Sequence, residues 1–347
     1  MIRIALLGCG RISKNHIDSI KTLETEGIAT LVATCDILPE RAESAAASFG
    51  PDCVPYNDYA EMLAKEDIDL VSICTPSGLH PEHVIQAAKA GKHALSEKPA
   101  GIKVADVDSA IHACDEAGVK YFVVKQNRFN RTVQMLRKAL DAGRFGRIYM
   151  VTSNVFWTRP QDYYDMAPWR GTWELDGGSL CNQAAHYVDL VQWFGGAVES
   201  VQAFSATLAR RIEAEDTIVV NLRFRSGALG SINVTVLTYP KNLEGSITVM
   251  GEKGTVHIGG VALNKIEQWQ FDAPHEMDGE VGSASYETGS VYGSGHLDFY
   301  RHCLDVLDNG VGEMVSGREG RKTVEIIEAA YQSVLSGGQV KPGAMPR

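Results

Sequence analysis

The sequence predicts a two-part chain: an α/β N-terminal domain on a doubly wound parallel sheet, then an α+β C-terminal domain with a largely antiparallel open sheet. Three observations predict it. An apolar run at the start breaks into a glycine turn and then a helix. Apolar strands alternate with helical patterns to about residue 125. Beyond that point long strand candidates follow one another through short turns.

Ile2, Ile4, Ala5, Leu6 and Leu7 form the nearly continuous apolar run of a strand buried on both faces. Gly8-Cys9-Gly10 permits a tight turn and close backbone approach to a ligand. Arg11-Ile12-Ser13 opens a helix whose N-terminal amides can receive a pyrophosphate. The third position of the glycine pattern is Ser13, where Gly or Ala is usual, which sets helix and strand slightly further apart. A second apolar run, Leu31 to Cys35, ends in Asp36, 36 − 13 = 23 residues past Ser13, near the spacing of about 20 expected of a ribose-binding carboxylate. Asp36 accepts from both ribose hydroxyls and repels a 2′-phosphate, which the apolar Ile37 cannot neutralise. NAD is therefore expected over NADP, with Arg41 as the reservation.

Glu40 to Phe49 reads as a helix. Asp69 to Thr75 is a strand closed by Thr75-Pro76-Ser77-Gly78, and ligands bind at such carboxyl ends. Pro81 to Ala90 is a helix backed by Gly91, followed by the strand His93 to Ser96 and at once by Glu97-Lys98-Pro99. A helix from Val104 to Ala117 returns to the strand Tyr121 to Val124 and the polar Lys125-Gln126-Asn127-Arg128. A cofactor domain over 1–125 and a substrate and oligomerisation domain over 126–347 follow, with the last helix able to pack back on the first domain.

In the second part, Thr132 to Ala142 is helical and Ile148 to Trp157 a strand. An aromatic-rich segment, Thr158 to Asp176, precedes a helix from Cys181 to Phe194. Strands are expected at 198–208, 217–224, 227–237, 245–250, 254–258 and 265–271, a long surface loop at 271–294, and helices at 297–308 and 318–335.

Composition sets outer limits. Lys plus Arg number 33 against 43 Asp plus Glu, a net charge of −10, so non-specific attraction to nucleic acid or anionic membrane is disfavoured and an anionic ligand must be met locally. Seven scattered cysteines, several inside apolar runs, suit a reducing cytoplasm. The chain opens directly on a core strand, leaving no room for a signal peptide, and no apolar run approaches the roughly 18 residues of a membrane span. A soluble cytoplasmic protein is expected.

Three constellations could carry chemistry. Lys98 ends a parallel strand at the edge of the crevice between cofactor and second domain, where a cation can hold an alkoxide and where Glu97 counters the fall of its pKa in a dry site. A solvated lysine after a turn is the bland alternative, which this location outweighs. Asn182, His186 and Asp189, spaced four and three apart, share one helix face. Asn182 and Asp189 could fix the tautomer of His186 and tune it as a general base, though a lone helical histidine is more often a packed one. The run from Trp157 to Trp173 holds three of the five tryptophans with Arg159, Tyr163, Tyr164 and Arg170, suited to stacking on a base or sugar and gripping phosphate or carboxylate, or to a subunit interface. Histidine and cysteine spacing offers no metal set.

Gly8-Cys9-Gly10-Arg11-Ile12, Thr75-Pro76 with His80, Glu97-Lys98-Pro99, and Gly177-Gly178 through His186 to Asp189 resemble the glucose-fructose oxidoreductase and inositol dehydrogenase (Gfo/Idh/MocA) family across essentially the whole chain. The resemblance implies a Rossmann domain binding NAD and a hydride-transfer site with Lys98 and His186 as catalytic residues. An aspartate commonly stands four residues before the histidine; this chain has Asn182 there, and Ala184 replaces the usual glycine. The neutral amide cannot share proton transfer, so the base role rests on His186.

Within that family, Lys125 to Asn130 and the segment from Phe156 through Trp169-Arg170 to Trp173 look like one branch, the UDP-2-acetamido-2-deoxyglucuronate 3-dehydrogenases of bacterial O-antigen (lipopolysaccharide) synthesis. That resemblance implies NAD-dependent oxidation of the sugar C3 hydroxyl to a ketone. Cofactor contacts implied are Gly8, Gly10, Arg11, Ile12, Asp36, Thr75, His80, Glu97, Lys98, Asn127, Trp169 and Arg170. Substrate contacts implied are Lys98, Arg159, Tyr163, Tyr164, Asn182 and His186. Relatives pair through the antiparallel sheet, implying a homodimer or homotetramer. Two competitors are an inositol-dehydrogenase-like enzyme of a free sugar or polyol, which needs no nucleotide grip, and a non-catalytic NAD-binding sensor, which could lose Lys98 or His186.

Overall fold

A computed structural model describes residues 1–288, 291, 293–310, 312 and 314–343. The chain forms two compact units, Met1–Val124 with His296–Arg321, and Lys125–Gly295 with Lys322–Arg347.

In the first unit β1 (Ile2–Leu7), α1 (Ser13–Thr25), β2 (Ala29–Cys35), α2 (Pro39–Ala47), β3 (Val54–Tyr56), α3 (Tyr59–Lys65), β4 (Leu70–Ile73), α4 (His80–Lys89), β5 (His93–Ser96), α5 (Val104–Ala117) and β6 (Tyr121–Val123) alternate as expected. The six strands are all parallel, in the order β3-β2-β1-β4-β5-β6. β4 is buried along its whole length, which is why it reads as apolar but for Ser72, whose hydroxyl is hydrogen-bonded to Tyr300 Oη at 2.9 Å. The sequence reading passed over β3 and α3. β3 is a three-residue edge strand, half exposed and interrupted by Pro55, while α3 is announced only by Asp58, whose side chain accepts from the Glu61 amide at its N-terminus. Residues 296–321, read from sequence as part of the second domain, belong to this unit. Val123 donates to the Val315 carbonyl at 2.8 Å beside β6.

The second unit contains α6 (Arg131–Asp141), β7 (Ile148–Phe156), α7 (Gln161–Asp165), α8 (Ser179–Asn182), α9 (Ala185–Gly195), β8 (Val198–Ala206), β9 (Thr217–Phe224), β10 (Leu229–Thr235), β11 (Glu244–Gly251), β12 (Gly254–Gly259), β13 (Lys265–Phe271) and α10 (Val281–Ala284). Its strands lie in the order β13-β12-β11-β7-β10-β9-β8. Only β7 and β10 pair parallel; the other neighbours are antiparallel. α9 packs on β7, β10 and β11, and buried residues alternate along β9, so one face of the sheet is covered. Two further helices, α11 (His296–Asn309) and α12 (Gly317–Ser336), close the chain.

Two expectations change here. The single helix expected from Cys181 to Phe194 is two, α8 and α9, broken at Gln183 and Ala184. The loop expected at 271–294 carries a 3₁₀ turn, Glu276–Glu280, and α10; its residues 289, 290 and 292 lie outside the described residues.

Candidate active site

The glycine turn of the first unit is built for close approach. Gly8 has φ +89°, and a Cβ there would lie 2.8 Å from the main chain of Cys74, so only glycine lets β1 and the end of β4 come this near. α1 then starts without a side-chain cap and without an acidic residue in its first turn. Its leading amides face no competing carboxylate on their own helix, as a pyrophosphate site requires. Gly10, Arg11 and Ile12 form the turn itself, and Ser13 Oγ donates to the Gly10 carbonyl at 2.6 Å.

Asp36 follows β2. Its Oδ2 accepts from the Cys9 amide at 2.8 Å and its Oδ1 from the Leu38 amide at 3.0 Å, which fixes the carboxylate beside the turn with lone pairs left for ribose hydroxyls. Glycine turn, uncapped helix and oriented acid together fit a dinucleotide.

At the carboxyl end of the same sheet His80 is buried, with Nδ1 2.7 Å from the Pro99 carbonyl and Nε2 2.8 Å from that of Thr75. A neutral ring can donate to only one carbonyl at a time, and burial lowers its pKa. His80 therefore joins the Thr75 loop to the one that follows Lys98. Thr75 Oγ1 lies 3.0 Å from His83 Nδ1.

The side chain of Glu97 is turned into the core. Its Oε1 lies 2.9 Å from His16 Nε2 on α1, and its Oε2 accepts from the Lys98 amide at 3.0 Å. Burial alone would raise its pKa; the hydrogen bond and charge of His16, with the charge of Lys98, outweigh burial and hold the carboxyl well below the usual range. A carboxylate only accepts, so His16 Nε2 carries the proton. His16 Nδ1 meets Tyr300 Oη at 2.7 Å and Ser72 Oγ at 3.1 Å. His16, Glu97 and His296 thus bring one potential ligand atom each within 4.8 Å, a grouping that sequence spacing could not show. Hydrogen bonds already occupy both His16 nitrogens, which makes this an anchor between the pyrophosphate helix and the Lys98 strand end.

The second unit holds the aromatic and arginine residues. The Arg159 guanidinium lies 5.0 Å from the Trp157 ring and 5.4 Å from that of Tyr163; that of Arg170 lies 4.3 Å from Tyr163 and 4.6 Å from Trp169. Two cations therefore flank one tyrosine ring, a concentration of positive charge that favours an anion nearby. Arg170 Nε is buried with no hydrogen-bond partner among the described residues. Tyr164 differs. It is buried, packs edge-on to Tyr163, and burial pushes its hydroxyl pKa up, so its ring serves the core.

His186 stands in the first turn of α9, and Asn182 ends α8. Because the chain breaks between them, they do not share a continuous helix face. Nor does Asp189 bond to His186. Its carboxylate takes Lys125 Nζ, Arg128 Nε and Nη2 and Thr323 Oγ1, the Arg128 Nε bond at 2.7 Å. Burial would raise the pKa of Asp189; the charges of Arg128 and Lys125 outweigh burial and keep it low. Asn127, in the 3₁₀ turn Gln126–Phe129 of this unit, is buried with its Oδ1 unpaired among the described residues.

Sequence reasoning passed over two residues here. Gln183 accepts from Arg159 Nε at 2.8 Å and donates to Tyr163 Oη and Asn182 Oδ1, each at 3.1 Å. Glu215, buried before β9, accepts through one oxygen from Ser179 Oγ, the Leu180 amide and Tyr331 Oη at 2.9, 2.9 and 3.0 Å. Neither lies in a recognisable motif. Only the folded register brings them to the Gly177-Gly178 turn.

Residues 2–125 match the family described as "Oxidoreductase family, NAD-binding Rossmann fold", and residues 137–341 match "Oxidoreductase family, C-terminal alpha/beta domain". The chain is similar to the WlbA dehydrogenase of Bordetella pertussis, solved with NADH and UDP-GlcNAcA, at 53% identity and a TM-score of 0.94, covering 100% of this chain and 98% of that one. The WlbA dehydrogenase of Chromobacterium violaceum, solved with the same two ligands, is 49% identical, with a TM-score of 0.92 and coverage of 99% and 96%. Inositol 2-dehydrogenase of Rhizobium meliloti is 32% identical over 98% of each chain. With its glycine turn, oriented Asp36 and Glu97-Lys98-Pro99 strand end, this chain belongs to the Gfo/Idh/MocA family of NAD-dependent oxidoreductases.

Proposed function

We propose that the protein oxidises the C3 hydroxyl of UDP-2-acetamido-2-deoxyglucuronate to the 3-keto sugar with NAD. The carrying observation is the pair of guanidiniums on Tyr163, 5.4 and 4.3 Å from its ring, in a chain of net charge −10. A multiply anionic sugar needs such a local cluster, whereas a free polyol does not. The likeness to structures holding UDP-GlcNAcA supports the same substrate.

NAD, when bound, supplies the hydride acceptor. The turn at Gly8 to Ile12 and the α1 amides hold its pyrophosphate, and Asp36 holds its adenosine ribose. His186 takes the proton of the C3 hydroxyl, and Lys98 stabilises the developing negative oxygen. Arg159 meets the sugar carboxylate, and Trp169 with Arg170 serves the cofactor phosphates. The protein is cytoplasmic and pairs through the open face of the second-unit sheet, where Phe204, Val219, Leu229 and Met150 are exposed on neighbouring strands. No described helix is long and apolar enough to cross a membrane.

The test is NADH formation with UDP-2-acetamido-2-deoxyglucuronate, with UDP-N-acetylglucosamine and with the free uronic acid. The first should be the best substrate by far, and His186→Asn should lower its turnover by roughly 10²- to 10⁴-fold, the effect of a lost general base. Ready oxidation of the free acid would remove the nucleotide from the reading, and equal rates on the two UDP-sugars would remove the carboxylate.

A further inference from the structure

Arg159, Gln183, Asn182 and Asp176 form a hydrogen-bonded chain that runs in one direction. Arg159 Nε donates to Gln183 Oε1 at 2.8 Å, Gln183 Nε2 donates to Asn182 Oδ1 at 3.1 Å, and Asn182 Nδ2 donates to Asp176 Oδ1. Asp176 Oδ2 is held in turn by the Gly171 amide at 3.0 Å. Chemistry fixes both amide orientations. A guanidinium can only donate and a carboxylate only accepts, so turning either amide over would set donor against donor or oxygen against oxygen. The bonds therefore polarise one another from a cation at one end to an anion at the other. Gln183 is the hub. It is buried, and its Nε2 also donates to Tyr163 Oη at 3.1 Å, so one amide sets the guanidinium, the tyrosine and the helix-end amide together.

We propose that Gln183 is a positioning residue for substrate selection: it aims Arg159 at the sugar carboxylate and ties that grip to Asn182 at the end of α8. The inference rests on the uronate reading above. Its content is that selection for the carboxylate depends on a residue that does not itself touch substrate. Arg159 Nη1 also donates to the Thr158 carbonyl at 2.8 Å and to Asn242 Oδ1 at 3.4 Å. Removing the Gln183 amide therefore leaves the guanidinium held through Nη1 but takes away the acceptor at Nε, which lets its fork turn out of line with the carboxylate.

The NADH-loaded protein, which cannot turn over, is titrated by calorimetry with UDP-2-acetamido-2-deoxyglucuronate and with UDP-N-acetylglucosamine. Both carry the nucleotide, so both bind measurably and the ratio of their affinities isolates the carboxylate. Gln183→Met, close to glutamine in volume, should lower that ratio by roughly 10-fold, the worth of one well-placed charge-assisted bond, with little change for the neutral sugar. Gln183→Glu keeps an acceptor for Arg159 but adds a negative charge beside the grip, so it should lower the ratio further; it also serves if the methionine variant does not fold. In an Arg159→Leu background, Gln183→Met should change the ratio no further. A wild-type ratio in both Gln183 variants, with a collapsed ratio in Arg159→Leu, overturns the role of Gln183 and leaves the substrate reading intact. An unchanged ratio in Arg159→Leu overturns the carboxylate reading and the inference with it.

Discussion

Asn182 stands where the family commonly has an aspartate, and its neighbours explain why an amide suits this chain. Its Nδ2 donates to Asp176, a buried carboxyl. An aspartate at 182 would place two carboxylates at hydrogen-bond distance, which cannot both ionise cheaply. Asn182→Asp should therefore lose stability as pH rises from about 4 to 8, by on the order of 1–3 kcal/mol, while Asp176→Asn combined with Asn182→Asp should recover it. Thermal melts across that range decide the matter, and a parallel pH profile for Asn182→Asp and wild type would refute it. The substitution itself was legible in the sequence. Its compensation was not, because Asp176 looked like one more polar residue of an irregular loop.

The break between α8 and α9 shows the same limit among the helices. Spacing of four and three suggested one helix face, yet the apolar pattern from Cys181 to Phe194 runs through Gln183 and Ala184 without a glycine or proline to mark the end of α8. What fixes the entry to α8 is distant in sequence. Glu215 takes the Leu180 amide and Ser179 Oγ, while Gly178, at φ +94°, leaves space that a Cβ 2.1 Å from Glu215 Oε2 would fill. Burial raises the pKa of Glu215 to about 7 from 4.5, against hydrogen bonds that lower it. The native state thus holds this proton longer than the unfolded chain does, so its contribution to stability is full below about 4.5 and is lost as pH rises towards 7. Glu215→Gln keeps the acceptor but cannot ionise. It should remove that decline and exceed wild type above pH 7 by on the order of 3 kcal/mol, read as melting temperature against pH. A variant that tracks wild type would show that Glu215 is ionised in the fold.

The two compact units are interleaved in sequence, 1–124 with 296–321 and 125–295 with 322–347. The strand-turn-helix pattern, the alternation to β6 and the later antiparallel pairs were all visible, because each is written in local periodicity. The return of residues 296–321 to the first unit was not, because its contacts join segments far apart: Tyr300 Oη reaches His16 and Ser72 at 2.7 and 2.9 Å, and α11 packs on α1. A fragment of residues 1–125 should therefore fail to fold cooperatively, since it leaves Tyr300's buried partners unsatisfied and uncovers one side of α1. Joining 1–124 to 296–321 through a flexible linker should restore a sharp unfolding transition by circular dichroism. Cooperative melting of the short fragment alone would contradict this.

The two glycines of the first turn stand under different kinds of selection. A side chain at Gly8 meets main chain at 2.8 Å, whereas one at Gly10 meets nothing within 4 Å. Every missense change of the codon for Gly8 adds at least a Cβ, so that position is constrained by the protein's own backbone in any lineage that keeps the sheet. Gly10 meets no such wall of protein, so a bound dinucleotide is what would hold it to glycine. A descendant that gave up its dinucleotide would be released to drift at position 10 while position 8 stayed glycine, and the contrast between the two would remain as a genetic trace of the lost cofactor.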